Sequence, residues 1–273
     1  MKKITFERTK NYKIKGNITV KVTSYNNGEI EVKGSKCKQN NLTNYKKISK
    51  TEYVNTKTGE IKQYKNTEYK RIENVKRAMK NLNDILKNNF TGGTNEIFLT
   101  LTCEENITDY DYVREKAEGF IKKLRQTYKG LEYVFVMEQQ ERGSWHIHIW
   151  IKDTLHKKLY IDNEEVYTIW KLGYTKTERV EATAVDVEKT IGYMKKTRGK
   201  EKLPADKKAY YKSRGIKKAK TEEMQYERFY NEMGKSAVYV SGITLHVKSA
   251  KTGKIINTHF KETWKEDKHN EER

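Results

Sequence analysis

Apolar and polar residues alternate along three short segments in the middle of the chain, at residues 96–103, 131–138 and 144–151. Such alternation is typical of β-strands with one buried face. Between the first two segments, apolar residues recur every three or four positions from Asp109 to about Tyr128, which predicts a helix with Asp109 as its N-cap. Only the short link QQERG separates the second and third segments, as in an antiparallel hairpin.

Further elements are predicted on both sides of this middle region. Residues 17–34 alternate around an Asn-Asn-Gly turn, and residues 236–264 alternate around a Lys-Thr-Gly turn, so each segment predicts a hairpin. The remaining predicted elements are helices at 71–90, at 163–172 and from Asp186 to about Thr197, and a strand within 173–183. The predicted fold class is α+β, with a central antiparallel sheet and helices packed on it.

Three regions are expected from these elements. They are a basic, β-rich N-terminal region at 1–70, a core at 71–200, and a basic connector followed by a C-terminal hairpin region at 201–273. The connector contains Pro204, the single proline of the chain.

Positive charge is concentrated at two places in the 273-residue chain, whose net charge is +20. Residues 1–70 hold 17 Lys and Arg against 6 Asp and Glu, and residues 195–220 hold 12 against 2. The rest of the chain is nearly neutral. Two basic regions favour a polyanionic partner, most often nucleic acid. Solubility alone is the alternative explanation.

Several classes of protein do not fit this sequence. No apolar run approaches the roughly 18 residues of a membrane span, so no membrane association is expected. The first ten residues, MKKITFERTK, lack the apolar stretch of a secretory signal. The two cysteines, Cys37 and Cys103, show no pairing pattern, which favours a reduced, cytoplasmic protein.

His146 and His148 form the sharpest local pattern of the chain. Alternate side chains of a strand share a face, so both imidazoles point to the same side. Two imidazoles held in this way can bind a divalent metal, and Glu138 at the end of the preceding strand would complete a two-histidine, one-carboxylate set. Glu141 in the intervening turn is the weaker candidate. Structural histidines and a solvated glutamate are the alternative interpretation.

Tyr193 is the candidate nucleophile on the last predicted helix. It lies off the apolar stripe of that helix, and Lys189 and Lys196 fall on the same side at i−4 and i+3. Ammonium groups favour the phenolate, and a metal polarises the phosphate that it would attack. A surface tyrosine with no catalytic role is the alternative.

Three short motifs occur in one order along residues 95–200. They are Phe98-Leu99-Thr100-Leu101-Thr102, His146-Ile147-His148, and Tyr193-Met194-Lys195-Lys196. In this order the chain resembles the HUH endonucleases, whose name stands for histidine, hydrophobic residue, histidine. It resembles most closely the rolling-circle replication initiators of plasmids and phages.

The resemblance implies an RRM-like core and a specific chemistry. Tyr193 would attack a phosphodiester of single-stranded or cruciform origin DNA, which gives a 5′-phosphotyrosyl link and a free 3′-OH. His146, His148 and Glu138 would hold Mg²⁺ or Mn²⁺, and Lys196 would assist Tyr193. A host helicase and polymerase are expected partners, because the chain lacks the P-loop pattern of an NTPase.

DNA contacts are predicted on the strand that carries the first motif and on the basic segments. Thr100 and Thr102 share a face with Phe98, so the hydroxyls would touch the DNA backbone and Phe98 or Trp150 would stack a base. The further predicted DNA-binding residues are Lys189, Lys195, Arg214 and Lys217. Ordinary strand residues and a solvated basic loop are the alternatives.

Two other functions compete with the initiator. A mobilisation relaxase or a single-tyrosine transposase would keep the same chemistry in another biological process. A non-catalytic basic DNA-binding protein would use the histidines structurally. The oligomeric state stays open.

Overall fold

A computed structural model describes residues 3–8, 18–37, 44–49, 51–64, 68–180, 207–248, 252–253 and 255–267. All strand pairs of its sheets are antiparallel. The predicted α+β class with a central antiparallel sheet is therefore confirmed.

The elements are numbered along the chain. The strands are β1 (Lys3–Arg8), β2 (Thr19–Ser24), β3 (Glu29–Cys37), β4 (Tyr45–Lys47), β5 (Glu52–Asn55), β6 (Ile61–Gln63), β7 (Glu96–Thr102), β8 (Leu131–Gln139), β9 (Trp145–Asp153), β10 (Thr175–Arg179), β11 (Tyr211–Lys212), β12 (Lys220–Gln225), β13 (Ala237–Lys248) and β14 (Ile255–Glu266). The helices are α1 (Glu68–Asn89), α2 (Tyr110–Thr127), α3 (Asn163–Trp170) and α4 (Tyr226–Glu232).

The chain divides into two compact units. The central unit comprises residues 68–219, and the terminal unit comprises residues 1–67 together with 220–273. The sequence analysis treats the two chain ends as separate regions, whereas here they contribute strands to one sheet. It also assigns the basic residues after 200 to a connector, whereas residues 207–219 belong to the central unit.

The central unit is built on a five-stranded sheet in the order β10-β7-β9-β8-β11. Helix α2 begins as predicted at Asp109, whose side chain accepts hydrogen bonds from the backbone N–H groups of Asp111 and Tyr112. Apolar residues of α2 and α3 pack on one face of this sheet. Trp145 and Trp170 are buried in this core, as the sequence analysis predicts.

Helix α1 covers part of the opposite face of the central sheet. Its apolar stripe packs against Val134 and Val136 of β8 and Trp150 of β9. Residues of α1 in this cluster are Met79, Leu82, Ile85 and Leu86. One end of this face is thus part of a second core.

The segment after residue 206 is fastened to the edge of the central sheet. Lys207 forms an ion pair with Asp111 at 2.6 Å, and the Tyr211 ring stacks on Phe135 with centroids 4.7 Å apart. Residues Tyr211 and Lys212 pair with β8, which makes β11 the edge strand. The connector predicted here therefore contributes to the fold.

The terminal unit contains a six-stranded sheet in the order β1-β13-β14-β3-β2-β12. Both predicted hairpins are present, since β2 pairs with β3 and β13 pairs with β14. In the first hairpin the turn residue Gly28 has a φ of +80°, a conformation that glycine adopts without strain. The core of this unit is apolar: Val20, Val22, Ile30, Val32, Met224, Tyr226, Phe229, Phe260 and Trp264.

A separate sheet of three short strands lies between β3 and α1 in the sequence. Its order is β4-β5-β6, and each neighbouring pair is joined by a short turn.

Across the described ranges, we find no helix with the length and apolar character needed to span a membrane.

Candidate active site

The three predicted metal ligands lie on neighbouring strands of the central sheet. His146 is opposite Thr102 of β7 on one side and opposite Glu138 of β8 on the other. His148, two positions further, is opposite Thr100. Because directly paired residues share a face, the pairing brings these five side chains to the same side of the sheet.

The face that carries the histidines changes character along β9. Trp150 belongs to it too, but α1 covers the ring and leaves it only 3% exposed. The prediction that Trp150 stacks a DNA base is wrong for this reason. Phe98 is half-buried and stacks on the His148 ring, with centroids 5.7 Å apart and an interplanar angle of 6°. The polar residues occupy the end of the face beyond this apolar cover.

Each histidine has a threonine hydroxyl beside its Nδ1 atom. The distance is 3.3 Å from Thr100 Oγ1 to His148 Nδ1 and 3.5 Å from Thr102 Oγ1 to His146 Nδ1. His148 Nε2 lies 3.2 Å from Glu138 Oε2. Hydrogen bonds at Nδ1 orient an imidazole and leave Nε2 for another partner, as in many metal sites. Thr100 and Thr102 thus touch the histidines, and a contact with DNA stays a prediction.

His146 Nε2 is buried and has no hydrogen-bond partner within the protein. A buried polar atom without a partner costs free energy, so its presence calls for a ligand or a function. Burial is the main reason that the pKa of His146 lies below its usual value, and the nearby His148 lowers it further. A neutral imidazole, the form that binds metal ions, is therefore favoured.

A closed metal site is not preformed in the described part of the chain. No three His, Cys, Asp or Glu side chains there form a group arranged to hold an ion. His148 and Glu138 are in contact, while the rings of His146 and His148 have centroids 6.2 Å apart. The donor set still suits a divalent cation, because it combines two imidazoles with one carboxylate and includes the unpartnered Nε2.

Arg142, which the sequence analysis does not single out, fixes the turn between β8 and β9. Its guanidinium donates hydrogen bonds to the backbone carbonyls of Cys103 and Glu104, just after β7, and to the side chain of Gln140. These contacts join the turn to the neighbouring strand and so set the ends of β8 and β9 that carry Glu138 and His146. A lone arginine in a short turn gives no sequence signal of this role.

Two predicted DNA-binding residues, Arg214 and Lys217, lie away from the histidines. The neighbouring Ser213 hydrogen bonds to the backbone of Tyr133, which is five positions from Glu138 along β8. At about 3.4 Å per residue, this separates them by roughly 17 Å. The backbone of Lys217 is bound by Asn89 at the end of α1. The structure therefore does not bring these two residues to the histidine site.

The predicted nucleophile and its neighbours, Tyr193, Lys189, Lys195 and Lys196, lie outside the described residues. Their positions relative to the histidines stay a prediction.

Comparison with known proteins adds an independent finding about the same part of the chain. Residues 96–199 match a family of replication-associated proteins, described by its ORF2 member. The matched range includes all three motifs, from Phe98 to Lys196. This match confirms the resemblance to rolling-circle replication initiators. No curated protein and no solved structure gives a significant match.

The match to replication-associated proteins supports a role in DNA replication and its initiation. It covers the strands that carry Thr100, Glu138, His146 and His148, and none of the terminal unit. The histidine face therefore belongs to the part of the chain that is shared with this family.

Proposed function

We propose that the protein initiates rolling-circle replication by nicking and rejoining single-stranded origin DNA through a 5′-phosphotyrosine. The observation that carries this proposal is the polar end of one sheet face. There His146, His148 and Glu138 lie side by side, and His146 Nε2 is buried without a partner. The family match over the same strands supports the same reaction.

His146, His148 and Glu138 hold a divalent cation, Mg²⁺ or Mn²⁺, in this proposal. The bound ion polarises the scissile phosphate and stabilises the charge that develops on it. Thr100 and Thr102 orient the two imidazoles through their Nδ1 atoms. Phe98 packs flat on His148 and restricts its rotation.

Tyr193 supplies the nucleophile, on the strength of the sequence motif alone. Its hydroxyl loses a proton to solvent base, the Oη–P bond forms, and the bond from phosphorus to the 3′ oxygen breaks. The released 3′ oxygen takes up a proton and is left as a primer for a host polymerase, behind a host helicase in the cytoplasm. Lys196 stabilises the phenolate, and Lys189 and Lys195 contact the DNA.

The polarity of the covalent link provides a sharp test. Single-stranded oligonucleotides of mixed sequence are incubated with the protein and Mn²⁺ and then separated under denaturing conditions. With a 3′ label, the label is expected to move with the protein. With a 5′ label, it is expected to appear only on a shorter free strand.

The matched control for Tyr193→Phe is Tyr160→Phe, which removes the same hydroxyl from a side chain that is 68% exposed. We expect the adduct to disappear only in Tyr193→Phe. Adduct formation that survives Tyr193→Phe contradicts the proposed nucleophile. A complete absence of adducts and of nicking in the wild type favours a non-catalytic DNA-binding protein. A relaxase or transposase would form the adduct but would not support replication of an origin-bearing plasmid.

A second test separates metal binding from strand cleavage. Mn²⁺ affinity is measured by calorimetry for the wild type, for His146→Ala and for His148→Ala, with the exposed His259→Ala as control. We expect the first two variants to lose at least about tenfold in affinity and His259→Ala to lose none. Equal affinities in all four proteins would remove these histidines as ligands.

A further inference from the structure

The sheet formed by β4, β5 and β6 has no core of its own. None of the described residues in 44–49 and 51–64 is buried. Three short strands with both faces open are marginal as an isolated fold. Exposed large apolar or aromatic side chains grouped on such a surface indicate an interaction site more than a packing requirement.

Three tyrosines gather on one face of this sheet. The Tyr53 ring lies 5.4 Å from Tyr45 in an edge-on arrangement and 4.9 Å from Tyr64 in a tilted one, as measured between centroids. Tyr45 is 57% exposed and Tyr64 is 40% exposed. The ring contacts place the three side chains together, while the outer two remain open to solvent.

Two lysines flank the central tyrosine on the same face. Tyr53 is paired across the sheet with Lys47 of β4 on one side and with Lys62 of β6 on the other. Directly paired residues share a face, so this face alternates ammonium and aromatic groups. Lys62 also donates to Glu60, with Nζ and Oε2 3.0 Å apart.

The opposite face of the same sheet has a different character. It presents a row of directly paired residues, Lys46, Val54 and Ile61, and no described tyrosine. Lys46 and Lys47 are thus neighbours in sequence, both exposed, with side chains on opposite faces.

We propose that the tyrosine face, formed by Tyr45, Lys47, Tyr53, Lys62 and Tyr64, is a binding platform for single-stranded DNA. Bases stack on the exposed tyrosine rings, and the two ammonium groups bind the phosphates between them. A row of aromatic rings with interleaved cations is the arrangement that binds single strands without base-specific hydrogen bonds.

Single-stranded DNA fits this face better than a duplex does. The bases of a duplex are already stacked on each other, so their flat surfaces are not accessible to tyrosine rings. Reading a duplex from its groove requires side chains such as Arg, Asn or Gln aimed at base edges. The tyrosine face instead offers rings as its main contact surface, which only unstacked bases can use.

Short turns hold the sheet in shape without a core. Ser49 Oγ accepts hydrogen bonds from the backbone of Thr51 and Glu52 at the first turn. At the second turn Asn55 Oδ1 accepts from the Lys57 backbone, and Gly59 takes a φ of +71°. A sheet preformed in this way loses less conformational entropy when a strand of DNA binds.

The platform would be separate from the proposed nicking site, because it lies outside residues 96–199 and contains none of the metal ligands. Its role would be to bind the strand without cutting it. Binding can therefore be measured in EDTA, where cleavage does not occur, so the outcome does not depend on the proposed function.

The test measures anisotropy of labelled oligo(dT) of about 12 nucleotides with the full chain in EDTA. We expect the double variant Tyr45→Leu, Tyr64→Leu to bind about tenfold more weakly, and the matching double variant with Phe to bind as the wild type does. Unchanged thermal melting of all variants will show that the fold is intact.

Lys47→Ala and Lys46→Ala form a matched pair for the charge on the two faces. We expect Lys47→Ala to weaken binding and to lower the slope of log K against log salt by about 0.7, with Lys46→Ala unchanged. The platform is ruled out if both lysine variants behave alike, or if the leucine double variant binds as the wild type does. Equal or tighter binding of a duplex, or tighter binding of oligo(rU), would contradict the assignment to single-stranded DNA.

Discussion

The two ends of β9 carry polar residues of the same kinds, yet their side chains are treated differently. At the C-terminal end, the buried Glu96 carboxylate accepts from three backbone N–H groups of residues 91–93 and from Lys152. Asp153 accepts from the backbone of Leu155 and His156. At the N-terminal end, His146 keeps a buried nitrogen without a partner.

This difference separates structural polar groups from functional ones. Buried polar groups that stabilise a fold have their hydrogen bonds satisfied, because an unsatisfied group costs free energy. An unsatisfied one persists where another requirement maintains it. The boundary on β9 falls where α1 stops covering the face, between Trp150 and His148.

The largest effect is expected from Trp150→Ala, which opens a cavity between α1 and the sheet. We expect a loss of about 3–5 kcal/mol in the free energy of unfolding, measured by urea titration. Stabilisation of the folded variant by Mn²⁺ should persist, since the ligands lie beyond the apolar cover. Simultaneous loss of the Mn²⁺ effect at low temperature would show that the two ends of β9 are not independent.

Glu96→Gln is expected to cost about 2–3 kcal/mol, because Lys152 loses its partner and the loop at 91–93 keeps only a weaker acceptor. Urea unfolding measures the cost. The control is Glu178→Gln on β10, which removes a carboxylate from an exposed ion pair with Lys176. Equal effects of the two variants would contradict the structural role of Glu96.

Asp153→Asn should show a pH-dependent cost of about 1–2 kcal/mol. Burial works to raise the pKa of Asp153, but the Leu155 backbone and His156 outweigh it, and the pKa lies below its usual value. A carboxyl whose pKa is lower in the folded than in the unfolded state stabilises the fold above the unfolded value, near 4. The cost should be constant from neutral pH to about pH 5 and should disappear as the pH falls through the folded pKa. A cost that persists at acid pH contradicts this assignment.

The smallest change in stability is expected from His146→Leu, within about 1 kcal/mol of the wild type. Removing the unpartnered nitrogen offsets the lost packing. In the wild type, Mn²⁺ at 100 times its Kd should add about 2.7 kcal/mol, and this gain should vanish in the variant. A large destabilisation without metal would instead make His146 a structural residue.

Sequence patterns predict the strands of the central sheet well, because alternation and helical periodicity are local. The face shared by His146, His148 and Thr100 follows from the same period of two. The cover of Trp150 by α1 does not, since it depends on where a helix formed by residues 68–89 packs. Pattern alone gives every residue of a face the same environment.

Long-range pairing is the other part that the sequence does not reveal. Nothing local indicates that Glu31 of β3 pairs with Thr263 of β14, or that Tyr211 pairs with Phe135. The tyrosine face is also missed. Its residues fall on or directly beside three strands, and only the register of those strands brings the three rings together.

The pairing of β3 with β14 has a consequence for synthesis of the chain on the ribosome. Strand β3 emerges more than two hundred residues before its neighbour in the sheet. Contacts of such sequence separation form slowly, whereas the central unit contains its own partners and can fold while translation continues. Until β14 is made, β3 has an open edge, so a translation product that stops early would be prone to aggregate through that edge.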